Sequence, residues 1–290
     1  MDGFDLELNE EDGILDVYDG MWMVARYRFL SAKPYFSHLL APNSLVPGLS
    51  KSVIQDSPMD HPHHHGIWWG HGEIGGSDLW LENKDSGRIR HDSFKNFLTT
   101  PSSACFTCSS TWLANDKKVC ATDQRTFKFT RPEDSYPGWV LDIEYELYPV
   151  MKPLAMAKAI DSGLPAFRVS DLIDVFDGGY LVDDRGVEIK FDPPSEPSRW
   201  MGAWGRIDSS PPSPSPNGGL LVFDHPSNPG FPNIWFTRPF GWFTPFGTQI
   251  ADREVPPEGL KLKHRVITFR GELDPKRAEI LWHHYAEGSE

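Results

Sequence analysis

Period-two alternation, broken at short intervals by turn residues, is the feature that most narrows the folds open to this chain. In residues 140–147, Val140, Asp142, Glu144 and Glu146 fall on one side of an extended backbone, and Leu141, Ile143, Tyr145 and Leu147 on the other. That is the pattern of a strand with one dry face. Comparable stretches predict strands at Phe4–Leu8, Ile14–Tyr18, Met21–Leu30, Arg88–Leu98, Ala104–Ala114, Val119–Phe129, Trp139–Tyr148, Phe167–Val175, Val187–Phe191, Gly219–Phe223 and Leu260–Phe269. Asn115-Asp116, Asp177-Gly178-Gly179 and Asp184-Arg185-Gly186 punctuate them as turns. With 25 Gly and 26 Pro for turns, and 11 Trp among 13% aromatics for pleated surfaces, the expected class is all-β, a large antiparallel β-sandwich. A single helix is expected at the C-terminus, with Asp274 as N-cap, Pro275 in the first turn and Gly288 after the last. Ile280, Leu281, His284 and Tyr285 are its expected buried stripe. The Pro/Ser-rich stretches Asp208–Gly218 and Asp192–Ser198 read as surface loops, because strand-like sequence flanks both, so residues 1–290 are expected to form one domain.

Charge removes several partners. The 290 residues carry 28 Lys+Arg against 41 Asp+Glu, a net charge of −13. Phosphate backbones and anionic lipids attract cations, so neither a nucleic acid nor a membrane surface is an expected partner. No run approaches the roughly 18 apolar residues of a membrane helix. The opening MDGFDLELNEEDG lacks the basic-then-apolar order of a signal peptide, and the three cysteines do not make a disulfide framework. The expected setting is cytoplasmic, and the sequence leaves the oligomeric state open.

The chemistry concentrates at residues 59–80, MDHPHHHGIWWGHGEIGGSDLW. This stretch holds His61, His63, His64, His65 and His71, five of the 11 histidines. Imidazole titrates near neutrality and is the commonest metal ligand. An extended Asp60–Gly66 would put His61, His63 and His65 on one face, an H-x-H arrangement able to hold a divalent metal ion. Glu73, Asp78 and Glu82 add carboxylates, while Trp68, Trp69 and Trp80 add apolar platforms with one polar handle. Imidazole and carboxylate exchange protons with ring oxygens, and indole stacks on a sugar's apolar face.

A second stretch, FDHPSNPGFPNIWFTRPFGWFTPFG at 223–247, repeats the Asp-His-Pro element as Asp224, His225 and Pro226. Proline there is expected to hold the backbone extended and present the ring. Asp224 is placed to orient an imidazole, and Arg238 to clamp a carboxylate or hydroxyls. Cys105 and Cys108 are three apart on a predicted strand, so they face opposite ways and read as core thiols. No G-x-S-x-G, P-loop or dinucleotide fingerprint is present.

These two stretches resemble the PmoA-like family, whose signature runs close to DHPHHRGLWFGHGDVNGxDFW. Asp60, His61, Pro62, His63, His64, Gly66, Gly70, His71, Gly72, Asp78 and Trp80 match it, as do Asp224, His225, Pro226, Asn228, Pro229, Trp235, Arg238 and Phe243 later in the chain. His65 stands where the family has Arg, Glu73 where it has Asp, Gly230-Phe231 where it has Arg-His, and Phe236 where it has His. The resemblance implies a supersandwich-like β-fold similar to galactose-mutarotase-like proteins, and an association with sugar metabolism.

Three functions fit these residues. The first is a carbohydrate-processing enzyme, an isomerase, lyase or glycoside-cleaving enzyme acting on a sugar or keto-sugar. In it His63, His64 and His71 exchange protons, with Asp60, Glu73 and Asp78 as orienting or basic carboxylates. Trp68, Trp80, His225, Asn228 and Arg238 would bind the small-molecule carbohydrate. The second is a metalloenzyme, an oxygenase among others, with His61, His63 and His65 as ligands. The third is a sugar-binding β-sandwich without catalysis.

Overall fold

The computed structural model describes residues 3–42, 51–132, 138–190, 196–207, 217–245 and 251–288. In chain order the strands are β1 (Phe4–Asn9), β2 (Ile14–Asp19), β3 (Trp22–Arg28), β4 (Tyr35–Leu39), β5 (Ile67–His71), β6 (Arg88–Thr99), β7 (Ser103–Leu113), β8 (Val119–Thr130) and β9 (Gly138–Pro149). They continue as β10 (Leu154–Met156), β11 (Ser162–Arg168), β12 (Tyr180–Asp183), β13 (Trp200–Arg206), β14 (Asn217–Asp224), β15 (Phe236–Arg238), β16 (Trp242–Thr244), β17 (Arg253–Val255) and β18 (Leu260–Arg270). A helix, α1 (Pro275–Glu287), closes the chain. Two eight-stranded sheets dominate, ordered β1-β2-β3-β4-β5-β11-β16-β15 and β12-β13-β14-β18-β9-β8-β7-β6. Their pairings are antiparallel, so the all-β sandwich expected from the alternation is what forms.

The dry faces of the two sheets meet in one hydrophobic cluster. Tyr27 and Phe36 of the first sheet pack on Phe106 and Phe127 of the second, with ring centroids 5.7 Å (Tyr27–Phe106) and 4.8 Å (Phe36–Phe127) apart. A charged island is set into this core. Arg125 is fully buried and donates to Asp123 through Nη2 at 2.5 Å and to the Pro34 carbonyl at 3.1 Å, with its guanidinium 4.4 Å from the Trp69 ring. Trp112 donates to the same Asp123 at 2.6 Å.

The helix lies on the outer face of the second sheet. Asp274 caps it, accepting from the Lys276 amide at 2.9 Å. The buried stripe is Ala278, Trp282 and Tyr285; Tyr285 is as expected and Leu281 packs half-buried beside it, but Ile280 is 56% exposed and His284 faces solvent. Trp282 wins the contact because its ring stacks on Phe231 and its Nε1 donates to the Asp224 carbonyl at 3.0 Å.

Two strand expectations need correction. Phe167–Val175 stops at Arg168, where residues 171–178 turn instead. Among the described residues of Val187–Phe191 there is only a bridge of Glu188 to Val182, and the strand of that region is β12. Phe191, most of Asp192–Ser198 and most of Asp208–Gly218 lie outside the described residues.

Candidate functional site

Residues 58–66 do not run extended. The His64 amide donates to the His61 carbonyl at 2.9 Å, closing a β-turn with Pro62 in its second position. Proline's fixed φ favours that position, so the period-two expectation for His61, His63 and His65 fails. The turn stacks His61 on His64, centroids 4.6 Å apart, and sets His63 edge-on to His64 at 4.8 Å. The second Asp-His-Pro element makes the same turn, with the Asn228 amide donating to the His225 carbonyl at 2.9 Å. There too proline bends the chain where extension was expected.

Strand alternation decides which side chains meet this turn. Ile67, Trp69 and His71 of β5 face the core between the sheets, and Trp68 faces out. Cross-strand pairing puts Tyr35, Ala166, Arg168, Trp242, Arg238 and Phe236 on that same outer face. Trp80 comes from the 78–82 segment and packs over Gly70, where an added Cβ would lie 2.9 Å from the Leu79 carbonyl oxygen and 3.4 Å from the Trp80 ring. His64, Trp68, Trp80 and Trp242 then sit with ring centroids 5.1–5.6 Å apart.

Several polar atoms in this patch are buried without a hydrogen-bond partner: His64 Nδ1, the Nε1 of Trp68, Trp80 and Trp242, and Arg168 Nε and Nη1. Native structures rarely leave such atoms unsatisfied, and each one calls for an explanation. The indole and guanidinium groups can only donate, so the patch offers donors that lack acceptors. Arg168 is 2% exposed. Its Nη2 donates to both oxygens of Asp60, at 3.1 and 3.0 Å, and its guanidinium lies 4.8 Å from the Phe240 ring. Asp60 Oδ2 is in turn 2.9 Å from His61 Nδ1. Burial alone would raise Asp60, but the His61 hydrogen bond and the Arg168 charge hold its carboxyl below the ordinary value. Burial, with the Lys33 and His61 charges behind it, pulls His63 down to about 4, and burial with its histidine neighbours lowers His64 much further. Both rings are therefore neutral at pH 7.

His65 has a different task. Its Nδ1 is 2.8 Å from Asp56 and its Nε2 2.7 Å from Glu82, and its ring stacks on Tyr35 at 3.9 Å. Lys33, also buried, joins Glu82 at 3.3 Å and donates to the Trp80 carbonyl. Burial would raise Asp56 and Glu82, yet the His65 hydrogen bonds, and for Glu82 the Lys33 charge, hold both low. This network braces the turn from behind and leaves His65 no nitrogen for a metal. His61 Nδ1 is taken by Asp60, and the His61 and His63 rings are 5.9 Å apart and nearly perpendicular. Among the described residues no three His, Cys, Asp or Glu side chains are arranged to hold a metal ion. The set His61, His63 and His65 does not fit one.

The remaining expected site residues divide. His71 is on the core face, its Nδ1 accepting from the Glu73 amide at 3.0 Å. It has no ring contact with His61, His63 or His64. Glu73 is exposed in the following turn. Asp78 Oδ1 accepts the Trp80 and Leu81 amides at 2.7 and 2.9 Å and so shapes the chain beneath Trp80. Trp68 and Trp80 are fully buried, forming a floor under His64 and not an open platform. Arg238 lies at the rim with its guanidinium 4.2 Å from the Phe236 ring. His225 and Asn228 belong elsewhere. His225 Nδ1 takes the Ser227 amide at 3.1 Å and its ring meets Tyr285 of the helix, while Asn228 bonds Asp224 and Lys263. The second motif is thus split, its first half bracing the helix side of the second sheet and its second half building the outer face of the first.

Two residues escaped the sequence reading. Arg168 belongs to no motif, and its one signal is a cation ending the apolar run SGLPAFR. Asp161 sits at the rim on the outer-face parity of β11, and its carboxyl is pushed up by burial and then by the Asp78 charge, against His61 and Arg238. A cleft of about 760 Å³ lies elsewhere, along α1, lined by Leu281, Arg277, Arg265 and Asp142. Arg265 and Asp142 there are already joined, at 2.6 and 2.9 Å. Unsatisfied donors also lie in the core, at Trp69 Nε1 and Tyr145 Oη, but the outer face of the first sheet gathers five together, at Trp68, Trp80 and Trp242 Nε1 and at Arg168 Nε and Nη1.

Fold and site together define an all-β sandwich protein with an aromatic–imidazole patch on the outer face of one sheet. Residues 16–283 match DUF6807, a family of unknown function, and the chain belongs to that family. Among curated proteins none matches it. No helix among the described residues is long and apolar enough to cross a membrane.

Proposed function

We propose that this protein processes a neutral sugar or keto-sugar by acid–base chemistry at the outer face of the first sheet. The observation that carries the reading is the set of donors buried without acceptors around His64: three indole N–H groups and the Arg168 edge. These groups are covered in this structure, so a ligand oxygen that displaces the rings over them would satisfy them, as sugar hydroxyl and carbonyl oxygens do. The solvent-reachable His61 and His63 rings at the mouth, with Asp60 and Asp161 beside them, supply groups that accept and return protons. Carboxylates outnumber cations around the patch, with Asp60, Asp78, Glu82, Asp161 and Asp171 against Lys33, Arg168 and Arg238, so a uronate is disfavoured. The same reading takes the likeness of residues 59–80 to the PmoA-like signature as shared descent with sugar-handling β-sandwich proteins.

The test is a turnover screen over neutral mono- and disaccharides and their keto forms, with hexuronates as controls. The expected result is conversion of at least one neutral member, lost on replacing His61 and His63 together by Ala. Both side chains reach solvent, so this double variant keeps the fold. His64→Ala and His71→Ala are poor substitutes, since each empties a fully buried position. Absence of conversion across the whole panel would refute the proposal.

A further inference from the structure

We infer that His61 is the proton-transfer residue of this site, and that buried Arg168 is its positioning residue, acting through Asp60. This rests on the acid–base reading above and replaces His64 and His71 in it. The geometry is a chain of three groups. Arg168 is anchored in β11 and its Nη2 grips both oxygens of Asp60 at 3.1 and 3.0 Å, with Asp171 at 3.4 Å. Asp60 Oδ1 accepts the His61 amide at 3.0 Å, and Oδ2 faces His61 Nδ1 at 2.9 Å. A carboxylate only accepts, so Nδ1 carries the proton and the lone pair of the neutral ring lies on Nε2. Stacking on Phe240 at 4.7 Å and on His64 at 4.6 Å fixes the ring plane. The ring is still 36% exposed, whereas His64 is 1% and His71 0% exposed. Of these three imidazoles, His61 is therefore the one with an oriented, reachable base. A buried guanidinium with donors left unpaired is a costly way to brace a surface turn. It is a reasonable way to hold a carboxylate that must hold an imidazole. In the step itself, His61 Nε2 takes a proton from a sugar hydroxyl or from carbon beside a carbonyl, becomes imidazolium against Asp60, and returns the proton later in the cycle.

The test uses the full chain labelled with 15N-histidine and read by long-range proton–nitrogen correlation at a pH where the rings are neutral. In the wild type, His61 should show protonated Nδ1 and bare Nε2. Asp60→Asn, at a 43% exposed side chain that can be changed without a core cavity, and Arg168→Gln should both shift it toward the Nε2–H tautomer that free imidazole prefers. On any sugar the screen identifies, His61→Gln should lower kcat about 10²–10⁴-fold, and Asp60→Asn should lower kcat while leaving KM nearly unchanged. A wild-type His61 protonated on Nε2, or full turnover in His61→Gln, overturns the inference. A panel with no reactive sugar sinks the sugar reading instead, and the tautomer measurement then decides the Arg168–Asp60–His61 chain by itself.

Discussion

Replacing Asp123 by Ala should cost about 3–5 kcal/mol of folding stability, read as a lowered urea midpoint at unchanged slope. That is the usual penalty for removing one partner of a buried ion pair. Arg125 is 0% exposed, and Asp123 supplies its only charge partner among the described residues, at 2.5 Å through Nη2 and 3.2 Å through Nε. Without it the guanidinium keeps one carbonyl and two aromatic faces, Trp69 at 4.4 Å and Tyr145 at 6.0 Å. These do not neutralise a cation in a dry interior. Trp112 loses its acceptor as well. Exchanging both charges together, Asp123→Leu with Arg125→Met, should recover most of the loss, because the desolvation cost disappears with the charges. A single change costing under about 1 kcal/mol would mean that water reaches Arg125. The island also backs the site, since Trp69 neighbours Trp68 on β5.

Acid should destabilise the fold well above the range where carboxylates usually fail. Burial lowers His71 to about 4 and His264 to about 3, and lowers His64 further still. Each titrates near 6.5 when unfolded. Because the folded values are depressed, the unfolded chain takes up protons first. The stability these rings contribute is complete above about 6.5 and falls as pH drops toward the folded values, by about 1.4 kcal/mol per pH unit for each ring. Asp224 and Asp174, both raised to about 6 by burial, act in the opposite direction. Their raised values favour the folded state as pH falls below 6, which returns about half of the loss. Asp56 and Glu82, held low by His65, act only below this window. His63 and His91, also lowered to about 4 by burial, add to the loss, so the net expectation is a loss of at least about 3 kcal/mol between pH 7 and pH 5, measured by urea unfolding at each pH. Stability that is flat or rising over that interval would contradict the burial of these rings.

Much of the fold was legible because alternation is a property of the strand itself. β1, β2, β3, β6, β7, β8, β9 and β18 appear within a residue or two of where the pattern puts them, and β14 was marked by its apolar run without alternation. β5 and β11 escaped because both of their faces are covered, one by the core and one by the site, so IWWGH and SGLPAFR show no alternation. β10, β15, β16 and β17 are three residues each, too short to show a period. In the site, the histidine cluster was visible but its geometry was not. The reading hinged on Asp60–Gly66 being extended, whereas Pro62 made a turn and scattered the set His61, His63 and His65. Residue spacing also could not show that β5 would send Trp68 and His71 to opposite faces. Nor could it show that Arg168, about a hundred residues later, would arrive opposite Trp242 and under Asp60.

The most direct measurement follows the indole N–H resonances of Trp68, Trp80 and Trp242 while neutral sugars, keto-sugars and hexuronates are titrated in. If the outer face of the first sheet is a sugar site, at least one neutral ligand should shift all three signals together and saturably, and the hexuronates should leave them still. Signals that remain fixed through the whole panel, or that move only for indoles outside this patch, would contradict the account.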